Sequence, residues 1–330
     1  MIETMAPGKV ILWGEYAVLL GAPALVMAVD RYAICHLNPE GRAWGFSAAG
    51  FAGADHTLTR AQLLAAEPPE PGDVSYVPWH VLHGLETADL PPGGRMHIDS
   101  RSFYQGSSKL GLGSSAAVSV AVYAAFCRLL NTDPDFRTAL HIHHNLQGKL
   151  GSGIDIAAAF FGGLLRFQRE GATVNAGHPP YEPEHWQLPS DLRMRFIWAG
   201  HPASTSDHVR RFQSWLARGD TRAVDALADC SRELFTSADL HASLVAYIDA
   251  LKRLDDNAAL GIYDASHKHL DHLAKDSGVI YKPCGAGGGD IGVAFGTDIE
   301  AIDGFVARAE AAGFAAVDLE TASHGIQITG

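Results

Sequence analysis

The chain opens with two short apolar runs, at 10–12 and 24–30, separated by Gly21, Ala22 and Pro23. That pattern predicts a pair of short buried strands around a turn. Residues 65–94 are polar and rich in proline and glycine, which places surface loops there around one helix near 79–85, with a strand following at 95–98. Residues 113–130 are apolar on nearly every face, the signature of a helix packed on several sides. Two further helices are expected at 136–146 and 155–161. The proline-rich stretch 177–189 then reads as a linker, dividing the chain into units 1–185 and 186–330.

Beyond it the pattern predicts a strand at 194–199 and helices at 206–217, 221–234 and 240–254. Strands at 279–281 and 291–295 flank a glycine cluster, and a helix at 299–312 leads into a final strand pair, 315–319 and 326–328. Strands and helices interleave in both units, so the class is α+β or α/β.

Composition narrows the function. The chain has 330 residues, beyond the size at which single cores stop growing, so two domains are expected. Its net charge of −12 argues against nucleic acid or an anionic membrane as partner, since either needs clustered Lys and Arg. One small anionic ligand remains compatible with it. The N-terminus carries no basic stretch followed by an apolar signal core, and no apolar run is long enough to span a bilayer. The 4 cysteines lie far apart with no CxxC pair, as expected of reduced thiols in a cytoplasmic protein.

Three segments carry chemistry. In Lys109-Leu-Gly-Leu-Gly-Ser-Ser-Ala-Ala117, glycines permit a tight turn and close backbone approach, and two serines fall at the start of the long helix. A helix N-terminus offers unpaired N–H groups and a favourable dipole to an anion. The residues alone fit either a phosphate loop or a capped helix after a glycine turn. They are not a Walker A loop, and neither a protein-kinase motif set nor a dinucleotide fingerprint occurs. In Tyr281-Lys-Pro-Cys-Gly-Ala-Gly-Gly-Gly-Asp290, the glycines exceed what a hairpin needs, which suits close approach to a ligand; a flexible hairpin is the plainer reading. In Ala6-Pro-Gly-Lys-Val-Ile-Leu-Trp-Gly-Glu-Tyr-Ala-Val-Leu19, Lys9 stands just ahead of an apolar strand.

Taken in order, these segments resemble the three signature motifs of the GHMP kinases, spanning positions 7 to 290. The resemblance implies an α+β two-domain GHMP kinase fold. Its N-terminal domain would be similar to ribosomal-protein S5 domain 2 and its C-terminal domain ferredoxin-like, with the active site between them. Within the family, Gln147-Gly-Lys-Leu-Gly-Ser-Gly-Ile-Asp155 and Trp198-Ala-Gly-His-Pro-Ala-Ser-Thr-Ser206 are most similar to members that phosphorylate phosphomevalonate. Mevalonate, a sugar or an amino-alcohol is the alternative acceptor.

By the same resemblance the cofactors are ATP and Mg²⁺, the partner is a small-molecule substrate, and a homodimer is a family-level expectation. Lys9 and Asp155 would be catalytic. Lys109, Gly111, Leu112, Gly113, Ser114, Ser115 and Ala116 would hold the nucleotide, with Ser115 as metal ligand. Glu15, Tyr16, Ser152, Gly153, Ser204, Gly287 and Gly288 would bind the acceptor. Asp155 also fits a helix N-cap, since an apolar run follows it.

Related kinases place a glutamate metal ligand before that aspartate; here the stretch reads Leu140-His-Ile-His-His-Asn145. Those histidines are expected to be exposed or hydrogen-bonded rather than zinc ligands. A phosphorylated acceptor also needs extra cations, for which Arg101, Lys109, Lys149 and Arg210 are candidates.

Overall fold

The computed structural model of the chain describes residues 1–51, 53–87, 89–148, 151–169 and 183–330. Lys149 and residues 177–182 of the proline-rich stretch lie outside them.

The first half is built on β1 (Ile2–Trp13), β2 (Ala24–Asn38), β3 (Trp44–Ala49), β4 (His56–Leu58) and β5 (Gly94–Asp99). A small hairpin of β6 (Tyr104–Gln105) and β7 (Ser108–Lys109) follows, and β8 (Leu164–Phe167) and β9 (Glu184–His185) complete this half. β2 is long because its two halves serve different neighbours. Residues 24–29 are buried without a break, as in a strand covered on both faces, and the remainder alternates. Its first half pairs with β8 and its second with β5.

The helices of this half are α1 (Arg60–Leu63), α2 (Tyr76–Gly84), α3 (Ser114–Leu129), α4 (Phe136–Leu146) and α5 (Ile154–Phe161). The alanine-rich α3 suits a central position. Its small side chains let it pack closely on β1 and β2 while α2, α4 and α5 cover its other sides.

The second half contains β10 (Arg193–Trp198), four helices, β11 (Ile280–Pro283), β12 (Ile291–Gly296), a fifth helix and β13 (Ala315–Val317). The helices are α6 (Thr205–Leu216), α7 (Arg222–Glu233), α8 (Leu240–Ala258), α9 (Ala265–Lys275) and α10 (Ile299–Ala311). The sheet order β11-β12-β10-β13, antiparallel throughout, is the ferredoxin-like arrangement. α9 and α10 close its apolar face through Leu270, Ala274, Ile302 and Phe305. The larger core runs through both halves, taking in Trp13 and Val26 from the first with Phe212, Tyr247 and Leu251 from the second.

Two expectations need correction. The final strands do not pair with each other: β13 pairs with β10, whereas β14 (Gln327–Thr329) returns to the first sheet against β1. Pairing with β2 begins at Ile2 and carries β1 through Lys9, so the lysine lies within the strand rather than ahead of it. The change of sheet falls between His185 and Arg193, but the last residues of the chain rejoin the first half. Pattern reading also missed β3, β4, β8 and α9. No helix among the described residues is long and apolar enough to cross a membrane.

Candidate active site

Lys9 is set by the meeting of β1 with the turn before α3. Its backbone N–H donates to the carbonyl of Leu112 at 2.8 Å. A bulge in the β1–β2 register just before it, between Pro7 and Gly8, brings the strand against that turn. Gly113 occupies the N-cap of α3 with φ +77°, and a Cβ there would lie 2.9 Å from Lys9 Cγ, so the lysine side chain runs directly over the glycine. No side chain caps α3. Its leading amides have no carbonyl within the helix to bond, and Gly113, Ser114 and Ser115 at that helix start all line one space.

That space is a cleft of about 560 Å³, in the range of a small-ligand site. Asp155 lines it from the first turn of α5, where its Oδ1 accepts the Ile156 N–H at 3.0 Å. The helix starts at Gly153, φ +83°, where a Cβ would lie 2.3 Å from Leu140 Cδ1 of α4 and push that side chain aside. Ser152 Oγ accepts the Ile154 N–H at 3.3 Å and faces the cleft. Lys9, Ser115 and Asp155, drawn from three elements, thus share one cavity.

The second half supplies the opposite wall. Ser204 caps α6, its Oγ accepting the Asp207 N–H, and with Thr205 and Ser206 it presents a second helix start to the cleft. The glycine loop between β11 and β12 brings Gly285 up to the lysine: a Cβ at Gly285 would lie 3.9 Å from Lys9 Nζ. Tyr16 Oη donates to the Ala286 carbonyl at 2.6 Å, joining the first motif to the third, and burial drives its phenol pKa upward.

Charge in the cleft is balanced rather than uniformly positive. Asp290 lies at its edge, its carboxyl pushed up from the ordinary range by burial, while Lys9, Lys109 and His201 pull the other way. Lys109 is held below the usual lysine range by desolvation, with Asp290 opposing and Lys9 adding to the shift.

Several expected ligands are engaged with other residues or lie outside the cleft, although Glu15 itself lines it. The carboxylate of Glu15 is committed to Lys282, to the Tyr247 hydroxyl at 2.7 Å and to the Gly285 N–H at 3.3 Å, so it joins the two halves. Leu112 and Ala116 point their side chains into the core and can offer a ligand only backbone. Gly287 and Gly288 turn away from the cleft, against Ile262 and His208, because the loop folds back on the second half. Arg101 is paired with Asp99 and Arg210 with Asp207, both at the exposed surface. Of the candidate cations for a second phosphate, only Lys109 lines the cleft among the described residues.

Of the α4 histidines, His141 is as expected and the other two differ. His141 is exposed and bonded to Asn145. His143 and His144 turn inward beside Asp155, their Nε2 atoms buried without a partner and their pKa values lowered chiefly by burial. No cluster of His, Cys, Asp or Glu suited to a metal occurs among the described residues.

Sequence reading missed Asp290, Lys282 and Tyr247. The first two sit at the ends of the glycine loop, and their burial, which sets their roles, shows only in the fold. Tyr247 carries no signal, because it lies in an ordinary helical pattern far from the motifs.

Comparison with known proteins points to one family. The model of the GHMP kinases N terminal domain matches residues 77–163. The chain is 32% identical over 366 residues to the phosphomevalonate kinase of Streptomyces sp. (strain CL190), covering 97% of each. It is 27% identical over 307 residues to the mevalonate kinase of Pyrococcus horikoshii, covering 86% of this chain and 85% of that enzyme. Its fold is similar to that of Streptococcus pneumoniae phosphomevalonate kinase, solved in complex with phosphomevalonate and AMPPNP, with a TM-score of 0.76 and 19% identity over 97% of this chain and 100% of that one.

Proposed function

The chain belongs to the GHMP kinases, and we propose that it transfers the γ-phosphoryl group of ATP to phosphomevalonate, giving the diphosphate. One observation carries the reading: Lys9, Ser115 and Asp155 converge on a single cleft, in a chain related along nearly its whole length to a phosphomevalonate kinase. The two catalytic domains divide near residue 185 and meet at that cleft, with the last strand, β14, returning to the first.

Phosphoryl transfer asks for positioning and charge stabilisation more than covalent chemistry. The turn at 111–113 and the leading amides of α3 cradle the triphosphate, with Ser114 adding a hydroxyl. Lys9 lies over that turn and stabilises charge on the group in transfer. The Ser115 hydroxyl fits a magnesium ligand, being in the cleft and at an uncapped helix start, whereas Glu15 does not, its carboxylate being already engaged. Mg²⁺ held there with the phosphate oxygens would neutralise charge on the triphosphate.

The acceptor's phosphate suits the second helix start, at Ser204, Thr205 and Ser206, with Ser152 and Lys109 nearby. A phosphate monoester has its second pKa near ~6 and is largely ionised at neutral pH, so Asp155 has no proton to remove from it and serves to orient the acceptor.

A free hydroxyl acceptor, mevalonate first, is the second reading. The mevalonate kinase relative favours it, and so does Asp155, which would then act as a base. ADP release by the purified protein with ATP, Mg²⁺ and each acceptor in turn decides between them. Turnover of mevalonate but not phosphomevalonate would overturn the first reading.

A further inference from the structure

Asp290 combines features that no role so far explains. It closes the glycine loop in the left-handed conformation, φ +59°, which costs a residue with a side chain roughly 1–2 kcal/mol. Strain of this kind persists only where the surroundings enforce it, and it gathers at functional sites.

Here the surroundings are explicit. The Asp290 N–H donates to the His201 carbonyl at 2.9 Å, and its own carbonyl accepts the Ala199 N–H at 2.8 Å. Its Oδ1 accepts the Ala203 N–H at 3.1 Å. Both backbone groups and one carboxylate oxygen are therefore tied to the segment leading into α6.

The other side of the carboxylate faces the first half. A Cβ at Gly111 would lie 2.2 Å from Asp290 Cγ and 2.3 Å from its Oδ2, so the carboxylate rests directly on the backbone of the proposed phosphate turn. Gly111 is a glycine for this reason as much as for the turn itself. Lys9 and Lys109 are the ammonium groups that face Asp290, with the His201 imidazole beside them, and His201 already has a partner in Asp264 at 2.8 Å. Among the described residues Asp290 closes no ion pair with either lysine. Its charge acts on them across a gap, leaving both ammonium groups free for phosphate oxygens.

We propose that Asp290 is a positioning residue for the transfer: a counter-charge, fixed to the second half and seated on Gly111, that orients Lys9 and Lys109 over the phosphate turn and sets the spacing of the two walls. Without it, two like charges beside one turn would repel each other and splay. The proposal rests on the phosphoryl-transfer reading above.

Asp290→Asn is the deciding variant. Asparagine tolerates the left-handed conformation, keeps an oxygen for the Ala203 N–H and keeps the contact with Gly111, so only the charge is lost. The expected result is a fall in kcat of about 10- to 100-fold, the scale of a misplaced reacting group, with an unchanged thermal midpoint. The alkaline limb of the rate profile should also move to lower pH, because Asp290 no longer opposes the desolvation that lowers Lys109. Wild-type kcat with an unmoved limb would overturn the proposal. Should the asparagine variant fail to fold, Asp290→Gly, which relieves the backbone strain, carries the same measurements; activity lost only in step with its fold overturns the proposal equally. Failure of the wild-type enzyme on every acceptor would instead end the transfer reading itself.

Discussion

Glu15 and Lys282, 267 residues apart, meet at 2.5 Å as an ion pair from which solvent is excluded on both sides. The pair joins the first motif to the strand leading into the third, so the two walls of the cleft are held at their centre. Tyr247 Oη donates to the other Glu15 oxygen and accepts the Gly14 N–H at 2.8 Å, which satisfies the carboxylate fully. A buried pair is weak evidence for stability, since desolvation offsets attraction, yet losing one member leaves an uncompensated charge. Glu15→Gln and Lys282→Met should therefore each lower the unfolding free energy by about 3–5 kcal/mol in urea titration. The double variant should lose clearly less than the sum of the two. Additive losses would mean the pair does not act as a unit.

Lys9→Met and Asp155→Asn test the proposed roles. Each should lower kcat by about 10²- to 10⁴-fold while titration calorimetry still detects nucleotide binding. Asp155→Asn should be milder with an ionised phosphate acceptor than with an alcohol, because only the alcohol has a proton to lose. Near-normal turnover in both variants would remove both residues from the chemistry.

Gly113→Ala separates contact from strain. A methyl group there would meet Lys9 Cγ at 2.9 Å as well as adopt φ +77°. Gly148, at φ +65° with open space around its Cα, provides the control. Both alanine variants should lose about 1–2 kcal/mol of stability from the left-handed backbone, and Gly113→Ala alone should also lose kcat as Lys9 is displaced. Equal kcat in the two would show that the lysine has room to move.

Acid should weaken the fold through buried histidines. Burial depresses His80, His143, His144 and His267 below the ordinary value of 6.5. Because their folded pKa values lie below the unfolded one, the unfolded chain binds more protons as pH drops below 6.5. Stability present above that pH is therefore lost on acidification towards the folded values. The urea midpoint should fall between about pH 7.5 and about pH 5.5, and His143→Leu should flatten that fall. An unchanged slope in the variant would remove His143 from the effect.

Much of this protein was legible from its residues in order. The period of α4 predicted Phe136–Leu146 to the residue, and the alanine-rich stretch predicted α3. Local pattern suffices there because a helix forms its hydrogen bonds within its own segment. The three motifs identified the family, because close approach to phosphate restricts which residues a turn can hold, and the resemblance brought forward Lys9, Ser115 and Asp155, whose roles are proposed above.

What depended on distant partners was not legible. β3 and β8 are weak patterns that become strands through pairing with β5 and β2, and β14 joins the outer edge of β1 from the far end of the chain. Glu15 stood in a motif and was assigned to substrate, but Lys282 and Tyr247 claim its carboxylate. Asp290 ended a glycine run with nothing nearby to mark it. A carboxylate's role is set by which cations, amides and solvent reach it, and only the folding of the second half onto the first decided that.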